Sequence, residues 1–136
     1  LVPMVRDAIQ IPLIAAGGIA SGRAIAAAEA LGADGVQVGS LFAVTQESSA
    51  HHNFKTKVLA STEGETALIL KQLTPVRLLK NAFYEQVMQA ELRGASSEEL
   101  ALLLGKRRAK LGIFEGNLDE GELEIGQVAA AITHIE

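Results

Sequence analysis

The chain has 136 residues, enough for one ordinary domain, and 49% of them are hydrophobic, so it can bury a core and is not a disordered segment. It has no Cys, no Trp and a single Tyr, which excludes a disulfide framework or thiolate site and makes the core aliphatic. A formal charge of −4 argues against a general nucleic-acid binder, and no apolar run approaches the ~18 residues needed to span a membrane.

The charge is unevenly placed. Residues 1–50 carry only Arg6, Asp7, Arg23, Glu29, Asp34 and Glu47, as a buried layer would, whereas the remainder reads as amphipathic helices. The start, Leu1-Val2-Pro3-Met4, lacks the charged-then-apolar layout of a signal peptide and has no Met at position 1. The expectation is a chain that begins partway through a longer, cytoplasmic protein, the lack of Cys fitting a reducing compartment.

Ile11 to Ala16 is a continuous apolar run that includes Pro12 and ends at Gly17-Gly18, as expected of a parallel strand buried on both faces, with Pro near its start. Ser21 stands at an N-cap position before the Ala-rich run 23–31, and Gly32 follows the expected helix end. Gly35-Val36-Gln37-Val38 reads as a second short strand, closed by Gly39-Ser40. A strand, a helix and a strand joined by short connections make two parallel neighbours. Short helices are expected over 41–46 and 50–59, and an extended segment over 66–71 after the turn at 63–65. Beyond Pro75, the apolar positions Val76, Leu79, Phe83, Val87 and Met88 approximate a helical stripe. Ser96-Ser97-Glu98-Glu99 has the form of a helix start before 100–104, residues 115–124 form an acidic turn region, and 125–135 reads as a last small-residue helix.

The informative feature is the pair of strand ends, Gly17-Gly18 and Gly39-Ser40, separated by one helix. In a parallel array both ends emerge on the carboxyl face, where ligands bind. Glycines there bare backbone N–H groups without a Cβ to hold a ligand away, and the starts of the next helices add unpaired N–H groups and positive dipole ends. With the Ser40 hydroxyl as a further donor, the two corners suit a phosphate dianion. Taken singly, each corner could be no more than a turn in a βα unit. The run Gly17-Gly18-Ile-Ala-Ser-Gly22 does not match the dinucleotide fingerprint G-x-G-x-x-G, and no Walker A loop occurs.

The segments Ile11-Pro-Leu-Ile-Ala-Ala-Gly-Gly-Ile19, Leu31-Gly-Ala-Asp-Gly-Val-Gln-Val-Gly-Ser40 and Glu47-Ser-Ser-Ala-His51 resemble the nitronate monooxygenase (2-nitropropane dioxygenase) family, which includes the flavin-dependent enoyl-acyl-carrier-protein reductases of type II. The resemblance continues through Asn53-Phe54-Lys55, Pro75-Val-Arg-Leu-Leu-Lys-Asn81 and Gly121-Glu-Leu-Glu-Ile-Gly-Gln127, and so covers nearly the whole chain. It implies an α/β fold: the last two β/α units of a TIM-type (β/α)8 barrel over residues 1–50, and a mainly helical C-terminal cap over 51–136 that returns to the barrel. A full barrel takes roughly 250 residues, so the barrel here is incomplete. By resemblance, Ala16, Gly17, Gly18, Gly39 and Ser40 bind the phosphate of FMN, and Gln127 lies near the flavin. Relatives often carry Thr in place of Ser40, and a small-Ala-Gly sequence where this chain has Val128-Ala129-Ala130. The family's Gly-Gly-His segment, whose histidine lies over the flavin, has no match here and is expected upstream. His51 and His52 are read as helix-terminus or surface residues and His134 as a terminal one.

The activity implied is that of an FMN-dependent oxidoreductase that oxidises alkyl nitronates with dioxygen. The alternative is an NAD(P)H-dependent reductase acting on a 2-enoyl thioester, with an acyl-carrier protein as partner; segment 47–55 and the Lys80-Asn81 pair lean towards it. An inactive fragment and a phosphometabolite barrel are further rivals. Open strand edges invite pairing with a second chain, so a homodimer is among the assemblies allowed. No membrane or nucleic-acid partner and no metal site is expected. The segment 115–126 resembles a calcium loop but has its glycine one place late and Gly126 where the loop needs Glu. The basic run Lys106-Arg107-Arg108-Lys110 is read as a solvated face, with an acidic carrier protein or a nucleotide 2′-phosphate as the functional alternative. The acidic pairs 98–99 and 119–120 are read as complementing helix starts.

Overall fold

The computed structural model describes residues 1–135, and its first half is the strand–helix–strand unit that the sequence implies. Strands β1 (Ile14–Ala16) and β2 (Gly35–Gln37) pair in parallel, with Ile14 opposite Gly35 and Ala16 opposite Gln37. Helix α2 (Gly22–Ala30) crosses between them. Its N-cap is Ser21, whose side chain accepts from the Ala24 amide at 3.2 Å. Gly32 leaves the helix at φ +100°, a conformation that a side chain resists, and a Cβ there would lie 2.9 Å from Arg6 Cγ. A one-turn helix α3 (Ser40–Ala43) follows β2.

No element is expected from sequence over residues 1–10, and the structure places helix α1 (Val2–Ala8) there, with Pro3 in its first turn, where a missing N–H costs nothing. Asp34 ties α1 to the strands. One carboxylate oxygen accepts from Arg6 at 2.6 Å and from the Leu13 amide at 2.7 Å, while the Asp34 amide donates to Leu13 O at 2.8 Å. The Leu13 hydrogen bond, with Arg6 adding its charge, holds the Asp34 carboxyl below the usual range.

The strand expected over 11–16 is only three residues long, and Ile14 is 55% exposed. Burial on both faces needs neighbours, and this sheet has two strands. Ile19, Ala28 and Ala33 form a small core beneath it, and an apolar groove of about 550 Å³ stays open beside Val5, Leu13, Ile14 and Leu31.

The second half adds a hairpin to the expected helices. Helix α4 (His52–Leu59) and a following antiparallel hairpin, β3 (Thr66–Ile69) with β4 (Val76–Leu79), precede helices α5 (Ala82–Leu92) and α6 (Ser97–Leu104). The helical stripe read from Val76 is therefore a strand followed by a helix. Val76 pairs with Ile69 and Leu79 with Thr66. The chain then breaks at Asn81, which caps α5 by accepting from the Tyr84 amide at 2.9 Å and donates to Leu118 O and Gly121 O, each at 2.8 Å. The expected helix over 125–135 is also corrected: only a 3₁₀ turn, Gln127–Ala131, forms, and Ile132 is extended. Ile125 instead joins the hairpin edge by donating its amide to Arg77 O at 3.2 Å.

Two further apolar cores result, each aliphatic apart from one fully buried phenylalanine. Phe83, Val87 and Leu100 pack under the hairpin with Leu78. Phe54, Val58, Leu79, Leu123 and Ala129 join the hairpin and the C-terminal segment to Val44 of the first half. The basic run is not uniformly solvated. Arg108 donates to Leu103 O, Leu104 O and Glu120 O, pairs with the Glu120 carboxylate at 3.1 Å, and stacks 4.5 Å over the Phe83 ring. Glu120 thus serves that ion pair and not a helix start, whereas Glu99 completes a capping box with Ser96. A π-helical turn, Lys110–Phe114, brings Gly112 against Gly121 so closely that a Cβ at Gly121 would collide with Gly112 Cα and Asn117 O. Among the described residues, no helix is long and apolar enough to cross a membrane.

Candidate anion-binding site

Because β1 and β2 are parallel and in register, their last residues, Ala16 and Gln37, lie side by side and both chains turn on the same face. Gly17 and Gly18 turn at φ +91° and +73°, the left-handed region that glycine enters without a Cβ clash. Gly39 has φ −107°, which any residue adopts, so its use is a different one. A Cβ at Gly17, Gly18 or Gly39 would meet nothing within 4 Å. The corners open into a shared depression of about 220 Å³ lined by Ala16, Gly17, Gly18, Gln37, Gly39 and Ser40, with Gly126 and Val128 closing one side.

The cup is lined by glycines, the Ser40 hydroxyl and Gln37, with neither a cation nor a carboxylate in its lining. Helix α3 is only one turn long, so it contributes local N–H groups and little macrodipole. The Ser40 hydroxyl is held by accepting from the Gly126 amide at 3.0 Å, which leaves its proton to donate into the cup. Gly126 is tightly placed, since a Cβ there would lie 2.6 Å from Ser40 Oγ.

Five of the six residues named from sequence, Ala16, Gly17, Gly18, Gly39 and Ser40, come together here. Gln127 does not line the cup. It is exposed and borders a separate depression with Thr62, Glu63, Gly64 and Thr66. Sequence reading missed Gly126 and Val128, which reach the cup from 86 residues beyond Ser40 in the case of Gly126. The resemblance pointed to the Gly126-Gln127 element and to Val128-Ala129-Ala130, but of these only Gln127 was named as a site residue.

The histidines at 51 and 52 belong to the start of α4. His51 Nδ1 accepts from the Asn53 amide at 3.1 Å as the N-cap, and His52 Nε2 lies 3.3 Å from Thr56 Oγ1. Among the described residues, no group of three or more His, Asp or Glu is placed to hold a metal ion. Among the described residues, Glu122 is the one buried carboxyl, 8% exposed. Burial, then repulsion from Glu124, raises its pKa against the opposing pull of Arg108.

Parallel strand ends that turn at glycines beside one open cup make an α/β unit with a candidate anion-binding site. The sequence model of the nitronate monooxygenase family matches residues 1–136, and the chain belongs to that family. A probable nitronate monooxygenase of Bacillus subtilis (strain 168) is 35% identical over 98% of this chain and 38% of its own length. FabK from Thermotoga maritima has a similar structure, with a TM-score of 0.88 and 34% identity over 100% of this chain and 43% of that one. The nitroalkane oxidase of Streptomyces ansochromogenes matches with a TM-score of 0.72 and 30% identity over 96% of this chain and 37% of its own. The chain thus spans less than half the length of these relatives.

Proposed function

We propose that the chain is the phosphate-binding portion of an FMN-dependent oxidoreductase, and that it corresponds to the last two β/α units of a (β/α)8 barrel with a mixed α/β cap. The observation that carries this reading is the single open cup formed by Gly17-Gly18 and Gly39-Ser40. The residues fit the group. A phosphate dianion accepts up to several hydrogen bonds, and the cup offers backbone N–H groups and the Ser40 hydroxyl while presenting no carboxylate. Gly17, Gly18 and Gly39 would leave room for the phosphate, and the Ser40 hydroxyl would donate to it, with Ala16 and Gln37 beside them in the lining.

Bound FMN supplies the redox chemistry, and the protein binds and orients it. The substrate read first is an alkyl nitronate, oxidised with dioxygen, as the Bacillus and Streptomyces relatives suggest. The second reading is reduction of a 2-enoyl thioester with NAD(P)H and an acyl-carrier protein as partner, favoured by the likeness to FabK. The histidine expected over the flavin lies on the part of the barrel that precedes these units. Cytoplasmic location and a homodimer complete the proposal, and Gln127 is retained as a residue near the flavin end.

Anaerobic mixing of the intact flavoprotein with each donor tests the reading. Bleaching of the visible flavin band by alkyl nitronates alone supports the monooxygenase, and bleaching by NADPH supports the reductase. A protein that purifies without flavin and takes none up rejects both.

A further inference from the structure

Lys55 lies on α4, is only 7% exposed and, among the described residues, has no carboxylate partner. Its ammonium donates to Thr45 O at 2.7 Å and Ser48 O at 2.8 Å, with Gln46 O at 3.5 Å. A buried cation is costly unless hydrogen bonds compensate it, and here three carbonyls of one loop do so. Lys55 is therefore committed to the loop that leaves α3.

That loop carries the constraint onward. Ser48 Oγ donates to Ala43 O, at the last residue of α3, at 2.8 Å and accepts from the Ala50 amide at 3.2 Å. Helix α3 is four residues long and is closed by the turn bonds from the Ala43 amide to Gly39 O and from the Val44 amide to Leu41 O, too little to hold its own direction. Its other end is Ser40, in the cup. Helix α4 is a fixed base, because Phe54 and Val58 are fully buried in the core that also holds Val44 and Ala50.

We propose that Lys55 is a positioning residue for the anion cup: with Ser48 it pins the carboxyl end of α3, and so aims the Gly39–Ser40 corner at the bound phosphate. This rests on the reading of the cup as the FMN phosphate site. The signature is selective for phosphate. Riboflavin lacks that group and has no use for the corner, so loss of the clamp lowers FMN affinity while riboflavin affinity stays.

The test is a titration of the deflavinated intact protein with FMN and with riboflavin, for the parent, Lys55→Met and Ser48→Ala. The expected result is a fall of about tenfold in the FMN-to-riboflavin affinity ratio for Lys55→Met, the size of a lost charged hydrogen bond, and a smaller fall in the same direction for Ser48→Ala. If Lys55→Met does not fold, Ser48→Ala decides alone. A parent that prefers FMN, with variants that keep the parental ratio, overturns the clamp. A parent that binds the two ligands equally overturns the phosphate reading of the cup itself, and the clamp with it.

Discussion

Gly39 and Gly17 sit in the same cup for different reasons, and substitution separates them. At Gly39 the backbone suits any residue and the space above is empty, so Gly39→Ala is expected to change stability by no more than about 0.5 kcal/mol. Gly39 borders the cup, so the added methyl is expected to lower FMN affinity at least about tenfold. Thermal denaturation together with flavin titration checks both halves; a large stability loss, or unchanged affinity, contradicts the assignment. At Gly17, with φ +91°, any side chain also strains the backbone. Glu122 gives a pH test. Its folded pKa is raised, first by burial, so the native state favours the protonated form and loses stability as pH rises from the unfolded pKa through the folded one. Glu122→Gln is therefore expected to raise the melting temperature near neutrality and to lose that advantage in acid. Melting curves from pH 3.5 to 7.5 check it, the range being roughly that of ordinary carboxyl titration and above; a constant difference across that range would falsify the assignment. Lys55 shows what single residues hide. A lysine on an amphipathic helix reads as solvated, and nothing in its neighbours announces three carbonyls waiting for it.

Elements were legible where local chemistry decides them. Ser21 and Ser96 cap helices because their hydroxyls reach the amide three residues on, and Gly32 ends α2 through its φ, so these boundaries follow from a few adjacent residues. Half of the hairpin was legible, since the extended segment expected over 66–71 contains β3, but its partner β4 was not. Val76, Leu79, Phe83 and Val87 fall three or four apart and imitate a helix face, yet Val76–Leu79 pairs with a strand beginning ten residues earlier. The 3₁₀ turn at Gln127–Ala131 was overread because alanine favours a helix, while Gly126 and Ile125 are already spent on Ser40 and Arg77. Such pairings are set by distant partners, which a local pattern cannot display. The meeting of Gly112 and Gly121 is of the same kind. Gly121→Ala is expected to destabilise the protein by about 1–3 kcal/mol through overpacking, visible as a lower midpoint in urea, whereas a neutral result would mean that the π-helical turn yields.

At the scale of the whole molecule, the sequence conveyed the order of motifs and the face on which the two glycine corners meet, because parallel strands leave no choice of side. It did not convey the reach of the C-terminal segment, which returns across 86 residues to hold Ser40. The open apolar groove beside β1 and the exposed Ile14 mark a surface that a two-stranded sheet leaves uncovered, in keeping with a chain that spans 38% of its Bacillus relative. The cup is the part of the account on which the flavin reading stands. A crystal structure of the intact protein loaded with FMN tests it most directly. The account predicts phosphate oxygens within ~3.2 Å of amides at the Gly17-Gly18 and Gly39-Ser40 corners and of Ser40 Oγ. A flavin whose phosphate lies elsewhere, with this cup filled by water alone, would contradict it.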